Sequence, residues 1–597
     1  MSIDKRDFFH SSPTGGADNK DNLEDNKVKK TRIPKWVLPK NWFIFLNLFS
    51  FRWKLVILFL VFLILGSFVF WIGHAYLSWT KQVPRDGGHY IEGVIGQPAY
   101  INPLLSQTSE ADADLVQLVY SGLFKYNKEG KIIKDIAEKY EISEDKKTYK
   151  VYLRKDIKWH DGETLDASDV HFTVSILKDK SYKSPLRFNW QGVEVNQIDD
   201  YTLEFILKEP YFGFIDNLTV GILPKHIWEN ITAEKFVLAD YNLRPVGSGP
   251  YKFFDFQKDS DGNILTYELR AFQEYYEGRP HISRITFNFY FNEDSNSIID
   301  DFNKKEILGM SSIAPEKIED VKTIKSTKFY EVNIPRYFSV FFNITRSIPL
   351  ANDEVRKSLA YATDRHDIIT RVLDGKGAEI YSLFLPGTEE CSEDFEKYNF
   401  DIDRANSILE ESGWKKGENG VREKDGVKLE FTLHTTDWPK LSQTADILRE
   451  QWEKIGAKVN VNVLTAFDLE QNHIRPREYE ALLLGQYNNF NSDPYSFWHS
   501  SQKRDPGLNF SVFENKDVDE LLSGAREDLD RETRVEKYKQ FQKIIAEEIP
   551  AIFLYSSHYI YPVNKKVKGI DIQSVNSPSH RFADVNNWYI KTKRVKK

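Results

Sequence analysis

The chain of 597 residues holds a single cysteine, Cys391. One thiol excludes an intrachain disulfide framework and any multi-cysteine zinc or iron–sulfur site, so stability must come from core burial. A basic excess is also missing. The 81 Lys/Arg stand against 89 Asp/Glu, net −8, which argues against nucleic acid as a partner, because phosphate binding needs a basic surface. The local signatures of common hydrolases and nucleotide enzymes are absent as well: there is no GxSxG, HExxH, phosphate-loop or GxGxxG segment. From Gly87 onward no Ser/Gly linker, low-complexity block or repeat with a period of roughly 20 to 50 residues interrupts the chain.

What is present is apolar and aromatic. Hydrophobic residues make up 41% and aromatics 14%, with 13 Trp, 30 Tyr and 41 Phe, so most of the chain reads as ordered globular protein. At roughly 100 to 200 residues per domain the length corresponds to several domain equivalents.

The run Leu55 to Gly73, LVILFLVFLILGSFVFWIG, has no charged residue. At about 1.5 Å per residue it covers roughly the thickness of a bilayer's hydrocarbon, which predicts a spanning helix. Trp53, Trp71, Tyr76 and Trp79 flank or end it, where amphipathic rings favour the headgroup layer. Lys27, Lys29, Lys30, Arg32, Lys35, Lys40, Arg52 and Lys54 precede it without an acid after Asp25, whereas Lys81 and Arg85 follow it. That asymmetry predicts an amino end in the cytoplasm. The apolar core is long, and no small-residue cleavage site follows it, so the segment is an uncleaved anchor rather than a signal peptide. Residues 1 to 54 form a basic cytoplasmic tail whose first 30 residues have a disordered composition. The rest lies outside the cytoplasm.

Thr148 to Arg154, Tyr201 to Leu207 and Ile285 to Phe291 alternate as strands with one buried face. Helical patterns cover Asp353 to Val372, Lys440 to Ile455 and Arg531 to Ile549, and the second leads through Gly456 into a strand ending at Val463. The class is mixed α/β. Three clusters invite a chemical role. His160-Asp161-Gly162 reads as a turn rather than a base with its carboxylate. Gly247-Ser248-Gly249 reads as a tight bend rather than a nucleophile, and His473 near Arg475 and Arg477 as a solvated face rather than an anion site.

Several segments together resemble one known family, in order and in spacing, from about residue 90 to 565. Ile95-Gly-Gln-Pro-Ala-Tyr-Ile-Asn-Pro-Leu104 is similar to its opening strand and turn, and Leu118-Val-Tyr-Ser-Gly-Leu123 and Ile136 to Ser143 to the segments that follow. Thr148 to Phe172 is the most specific block, with its Lys-Trp-x-Asp-Gly turn and an Asp166-Ala-Ser-Asp169 helix start. Pro245 to Tyr251, Glu274 to Pro280, Phe342 to Thr345, Val355 to Arg365 and Gly413-Trp414 follow. The family is solute-binding family 5, the receptors of ABC importers of the oligopeptide, dipeptide and nickel class.

The resemblance implies an α/β, periplasmic-binding-protein-like two-lobe fold of the enlarged, peptide-binding type behind the transmembrane helix. Its lobes are expected at 87–280, with an inserted subdomain, and at 281–558, with 559–597 returning to the first lobe. It implies capture of a peptide or other small solute and delivery to separate permease and ATPase chains, with no catalytic residue, metal or cofactor. Tyr100 and Asn102 in the opening turn, and Tyr487, Asn488, Asn489 and Phe490, stand where the family's ligand contacts fall. One departure matters. The segment Gly485-Gln-Tyr-Asn-Asn-Phe-Asn-Ser-Asp-Pro494 is one residue longer than in peptide-binding members, so Asn489 or Phe490 occupies the position of the carboxylate that pairs with a peptide's ammonium. An amide cannot neutralise that charge. Asp493, beside the proline, stands outside that position. Two other readings compete with the importer receptor: a sensory or structural surface protein on the same fold, and an ectoenzyme such as a peptidase.

Overall fold

The computed structural model describes residues 50–290, 295–487, 493–505 and 507–597; the basic amino-terminal segment, apart from its last few residues, lies outside them. Two compact units are present. One holds the apolar helix and Arg594–Lys597, and the other is Val83–Lys593. In the first, helix α1 (Phe51–Trp79) buries none of its residues, and it is long and apolar enough to cross a membrane. The Arg594 guanidinium donates to the Thr80 hydroxyl at 2.8 Å and to the Leu77 carbonyl at 3.1 Å, satisfying backbone oxygen at the end of the helix.

The second unit is built on one twelve-stranded sheet. In chain order its first part uses β1 (His89–Ile95), α2 (Glu110–Val119), β2 (Ala137–Ile142), β3 (Thr148–Leu153), α3 (Ala167–Lys178), β4 (Val193–Asp199) and β5 (Thr202–Leu207). Then follow β6 (Tyr251–Lys258), β7 (Ile264–Ala271), β8 (Arg284–Tyr290), α4 (Ser295–Lys304), β9 (Gly309–Met310) and β10 (Thr327–Asn333). The second part adds β11 (Arg336–Phe342), α5 (Asp353–Tyr361), α6 (Arg365–Leu373), β12 (Gly377–Glu379), β13 (Glu430–Thr436), α7 (Pro439–Glu453), β14 (Lys458–Leu464), β15 (Ala481–Tyr487), α8 (Lys516–Glu527), α9 (Arg531–Glu548) and β16 (Ala551–Asn564). The sheet runs β14-β13-β15-β11-β16-β9-β1-β8-β7-β6, with β10 and β12 also paired to β16. Strands β2-β3-β5-β4 form a separate four-stranded sheet in the stretch where the sequence reading expects an inserted subdomain.

Alternation decides which face of each strand is buried. On β11, Phe338, Val340 and Phe342 pack into a core with Leu441, Leu448 and Trp452 of α7. The intervening Tyr337 and Phe341 pack on the other face with Leu522 of α8 and Phe541 of α9. A strand buried on both faces reads as a continuous apolar run, and Tyr337 to Phe342 is one apart from Ser339. The third core gathers Tyr90, Leu115, Trp159, Phe205 and Tyr267.

One strand gains its partner here and one expected helix divides. Strand β8 pairs in parallel with β1, from Arg284 beside His89 to Tyr290 beside Ile95, and Ile285, Phe287 and Phe289 join the same core as Tyr90. That core extends through Ile334. Alternation marks a strand without naming its partner. The helix expected from Asp353 to Val372 is two helices, because Asp364 caps α6 by accepting from the Asp367 amide and Arg365 turns inward onto the carbonyls of Ile380, Phe553 and Tyr398. At 166–169 the expected cap forms as a reciprocal capping box.

Candidate ligand-binding cleft

The chain crosses between the two lobes at Ile334-Pro335-Arg336 and again along β16, where Tyr555 belongs to the second lobe's core and Tyr559 to the first. A cavity of about 440 Å³ lies over these crossings, a volume in the ~300–1,000 Å³ range of small-molecule sites. Ile95, Met310 and Tyr559 face it from the first lobe, and Phe338, Trp438 and Tyr555 from the second. The aromatic side is pre-stacked: Phe338 lies 4.8 Å from Tyr555 and 5.7 Å from Trp438, centroid to centroid, and the Tyr555 hydroxyl meets Thr444 Oγ1 at 3.1 Å. Flat rings held by their neighbours offer area at little entropic cost.

Charge enters the cavity from three side chains, Glu110, Arg336 and Lys440. Arg336 opens β11; its guanidinium donates to Ser557 Oγ at 3.1 Å and lies over Phe338 and Trp438 at 5.1 and 5.7 Å. Glu110 opens α2. Desolvation first, and then the like charge of Asp114, holds its carboxyl above its usual range. His558 also faces the cavity, with Nδ1 buried and no hydrogen-bond partner among the described residues.

Of the residues expected from sequence, Tyr487 ends β15, where its backbone pairs with that of Arg336. Asn488, Asn489 and Phe490 lie outside the described residues. Tyr100 is partly exposed and Asn102 fully buried; the Asn102 amide donates to Asn242 Oδ1 at 3.1 Å and its oxygen accepts from the Leu104 amide at 3.0 Å. Neither is among the cavity's walls. Sequence reading missed Arg336, Glu110 and Trp438, because the partners that bring them together are hundreds of residues away.

A second contact joins the lobes. Arg526 on α8 pairs with Asp493 at 3.0 Å and stacks between Tyr211 and Tyr495, at 4.6 and 4.5 Å. Its backbone carbonyl accepts from the Phe212 amide at 3.1 Å, and Arg534 covers the Phe212 ring at 4.1 Å. Tyr211 and Phe212 belong to the segment after the subdomain's last strand, so this contact clasps the first lobe to the second. Asp493 is consumed by it; burial pushes its carboxyl up while Arg526 pulls it down.

The three tempting clusters are structural. His160 accepts from the Gly247 amide through Nδ1 at 3.2 Å and lies 3.0 Å from the Gly249 carbonyl through Nε2, which fixes a neutral ring; desolvation pushes it down to about 4. The loop it holds is tight. A Cβ on Gly247 would run into the Val119 carbonyl oxygen, and one on Gly249 would meet Val119 C at 2.6 Å. Ser248 between them is fully buried, and its hydroxyl has no hydrogen-bond partner, His160 included, among the described residues. His473 Nδ1 lies 2.9 Å from the carbonyl of Glu478, and its ring lies 4.6 Å from that of His434.

Comparison with known proteins agrees with this architecture. The model of the bacterial extracellular solute-binding proteins, family 5, matches residues 131–507. The oligopeptide-binding protein AppA of Bacillus subtilis is 28% identical over 522 residues, covering 85% of this chain and 92% of that protein. The dipeptide-binding protein of Escherichia coli is 28% identical over 524 residues, covering 82% and 93%. Among solved structures, AppA of Bacillus subtilis in complex with a nonapeptide superposes with a TM-score of 0.69 at 27% identity, covering 85% of this chain and all of that one. NikZ of Campylobacter jejuni in complex with Ni(L-His) gives the same score, identity and coverage. Two lobes joined at Ile334–Arg336 and along β16, a cavity over those crossings, and a family model matched across most of the chain place this protein among the bacterial extracellular solute-binding proteins of family 5.

Proposed function

We propose that this chain is a membrane-anchored receptor outside the cytoplasm that captures peptides and hands them to the permease subunits of an ABC importer. The observation that carries it is the cavity over the lobe crossings, walled by Phe338, Trp438 and Tyr555 on one side and by Met310 and Tyr559 on the other. A ligand touching both walls binds the closed form better than the open one, and that difference in affinity is what drives closure. Relatives named for oligopeptides and dipeptides give the solute class. Tyr487 and the loop Asn488–Phe490 are proposed to flank the ligand, because Tyr487 adjoins Arg336 across the sheet. Helix α1 anchors the receptor with its basic side in the cytoplasm, and tethering raises its concentration near a permease. Permease and ATPase are separate chains in this reading.

Native mass spectrometry of the full chain, released from detergent micelles, tests it. The expected result is a distribution of peptide masses carried from the expression host, exchangeable for added peptide and unchanged in mass with time. A retained non-peptide solute would overturn the peptide assignment, and release of shortened peptides would point to a peptidase.

A further inference from the structure

The cleft must neutralise a peptide's ammonium, and the loop at 488–492 reads Asn-Asn-Phe-Asn-Ser, without an acid. Asp493 next to it is held by Arg526 at 3.0 Å. The opposite wall supplies an answer. Helix α2 carries three carboxylates in its first half, Glu110, Asp112 and Asp114. Asp112 accepts the backbone amides of Ala99 and Tyr100 at 2.8 and 2.9 Å, which fixes the opening turn. Asp114 is buried against Arg581, with Nη1 at 2.6 Å. Glu110 has no hydrogen bond or ion pair among the described residues and faces the cavity. It is the sole acid among the described residues that line it, opposite two cations, Arg336 and Lys440.

We propose that Glu110 is the specificity-determining carboxylate of this receptor, pairing with the free amino group of the ligand while the cationic wall around Arg336 faces its acidic end. The inference rests on the peptide-receptor reading and sharpens it to peptides with unblocked amino ends. The physical case is one of charge balance. Glu110 is exposed on the cleft wall; closure over a ligand strips its hydration, and a ligand cation offsets that loss. A cation entering a closed cleft without an anion would not be compensated. Arg336 and Lys440 cannot serve it, since like charges repel.

The test uses the full chain in detergent micelles and two synthetic probe pools of short peptides, one with free amino ends and the same pool N-acetylated. Retention is read by native mass spectrometry and affinity by calorimetry. Wild type is expected to retain the free pool and to bind the acetylated pool roughly thirtyfold or more weakly, the scale for loss of one partner of a buried charge pair. Glu110→Gln is expected to bind the free pool as weakly as wild type binds the acetylated one, with an unchanged melting temperature in the absence of peptide. Glu110→Asp should recover part of the discrimination, which a merely structural role would not give. Equal retention of the free pool by wild type and Glu110→Gln would overturn the assignment and leave the peptide reading standing, as would wild type that binds both pools alike. Wild type that retains neither pool would overturn both.

Discussion

Arg581→Met is the substitution whose consequence follows most directly from the structure. The guanidinium is fully buried, with Nη1 donating to Asp114 Oδ1 at 2.6 Å and to the Pro578 carbonyl at 2.9 Å, and Nη2 to Glu92 Oε1 at 3.1 Å. It joins β1, α2 and the C-terminal segment. Glu92 and Asp114 are buried as completely, so the variant leaves two carboxylates without their cation. Even with Arg581 present, desolvation outweighs its attraction and lifts Glu92 from 4.5 to about 7, which disfavours the ionised form by about 3 kcal/mol. The sign follows. A raised carboxyl is stabilising in its protonated form below the unfolded value, and that contribution is lost as pH climbs from 4.5 through 7. Removing the cation lifts both carboxyls further, so the variant's deficit grows with pH. Stripping one partner from a buried ion pair costs about 3–5 kcal/mol. We expect a loss of about 4 kcal/mol at pH 8, and about half of that at pH 5, where Glu92 is protonated. Urea unfolding of full-length wild type and variant, followed by tryptophan fluorescence at both pH values, reads it. An equal deficit at pH 5 and pH 8 would assign the loss to packing and refute the charge argument.

Other outcomes are open to the same scrutiny. Arg526→Met removes the cation from Asp493, whose side chain is 10% exposed; discounted for the one-third exposure of Arg526, the loss is about 2 kcal/mol. Small-angle scattering should find the ligand-free variant more extended, and an unchanged radius of gyration would count against Arg526 as a clasp. Gly247→Ala drives a methyl group into the Val119 carbonyl and should cost about 3 kcal/mol; a wild-type melting temperature would contradict this. The Cys391 thiol is half-buried and pushed up by desolvation, so it should react with a disulfide reagent at pH 8 several times more slowly than after unfolding. Deleting residues 55–73 should move the protein from the membrane to the soluble fraction, and retention on the membrane would show another attachment.

Much of this protein was legible without coordinates, and for a physical reason. A run of nineteen uncharged residues marks a helix long and apolar enough to cross a membrane, because hydropathy acts residue by residue. Strands Thr148–Leu153 and Thr202–Leu207 were readable because alternation is local, as was the cap at Asp166 because its bonds span three residues. The Gly-Ser-Gly bend announced its tightness through its glycines. Tertiary structure alone decided which strands are neighbours. β8 shows its alternation in sequence but not its neighbour, and only the structure gives its parallel pairing with β1, because hydrogen bonds between strands leave no trace in either sequence. The cleft is the extreme case. Glu110, Arg336 and Trp438 look like ordinary surface or strand residues in sequence. They line one cavity because β16 carries the chain from one core to the other and brings the two walls together.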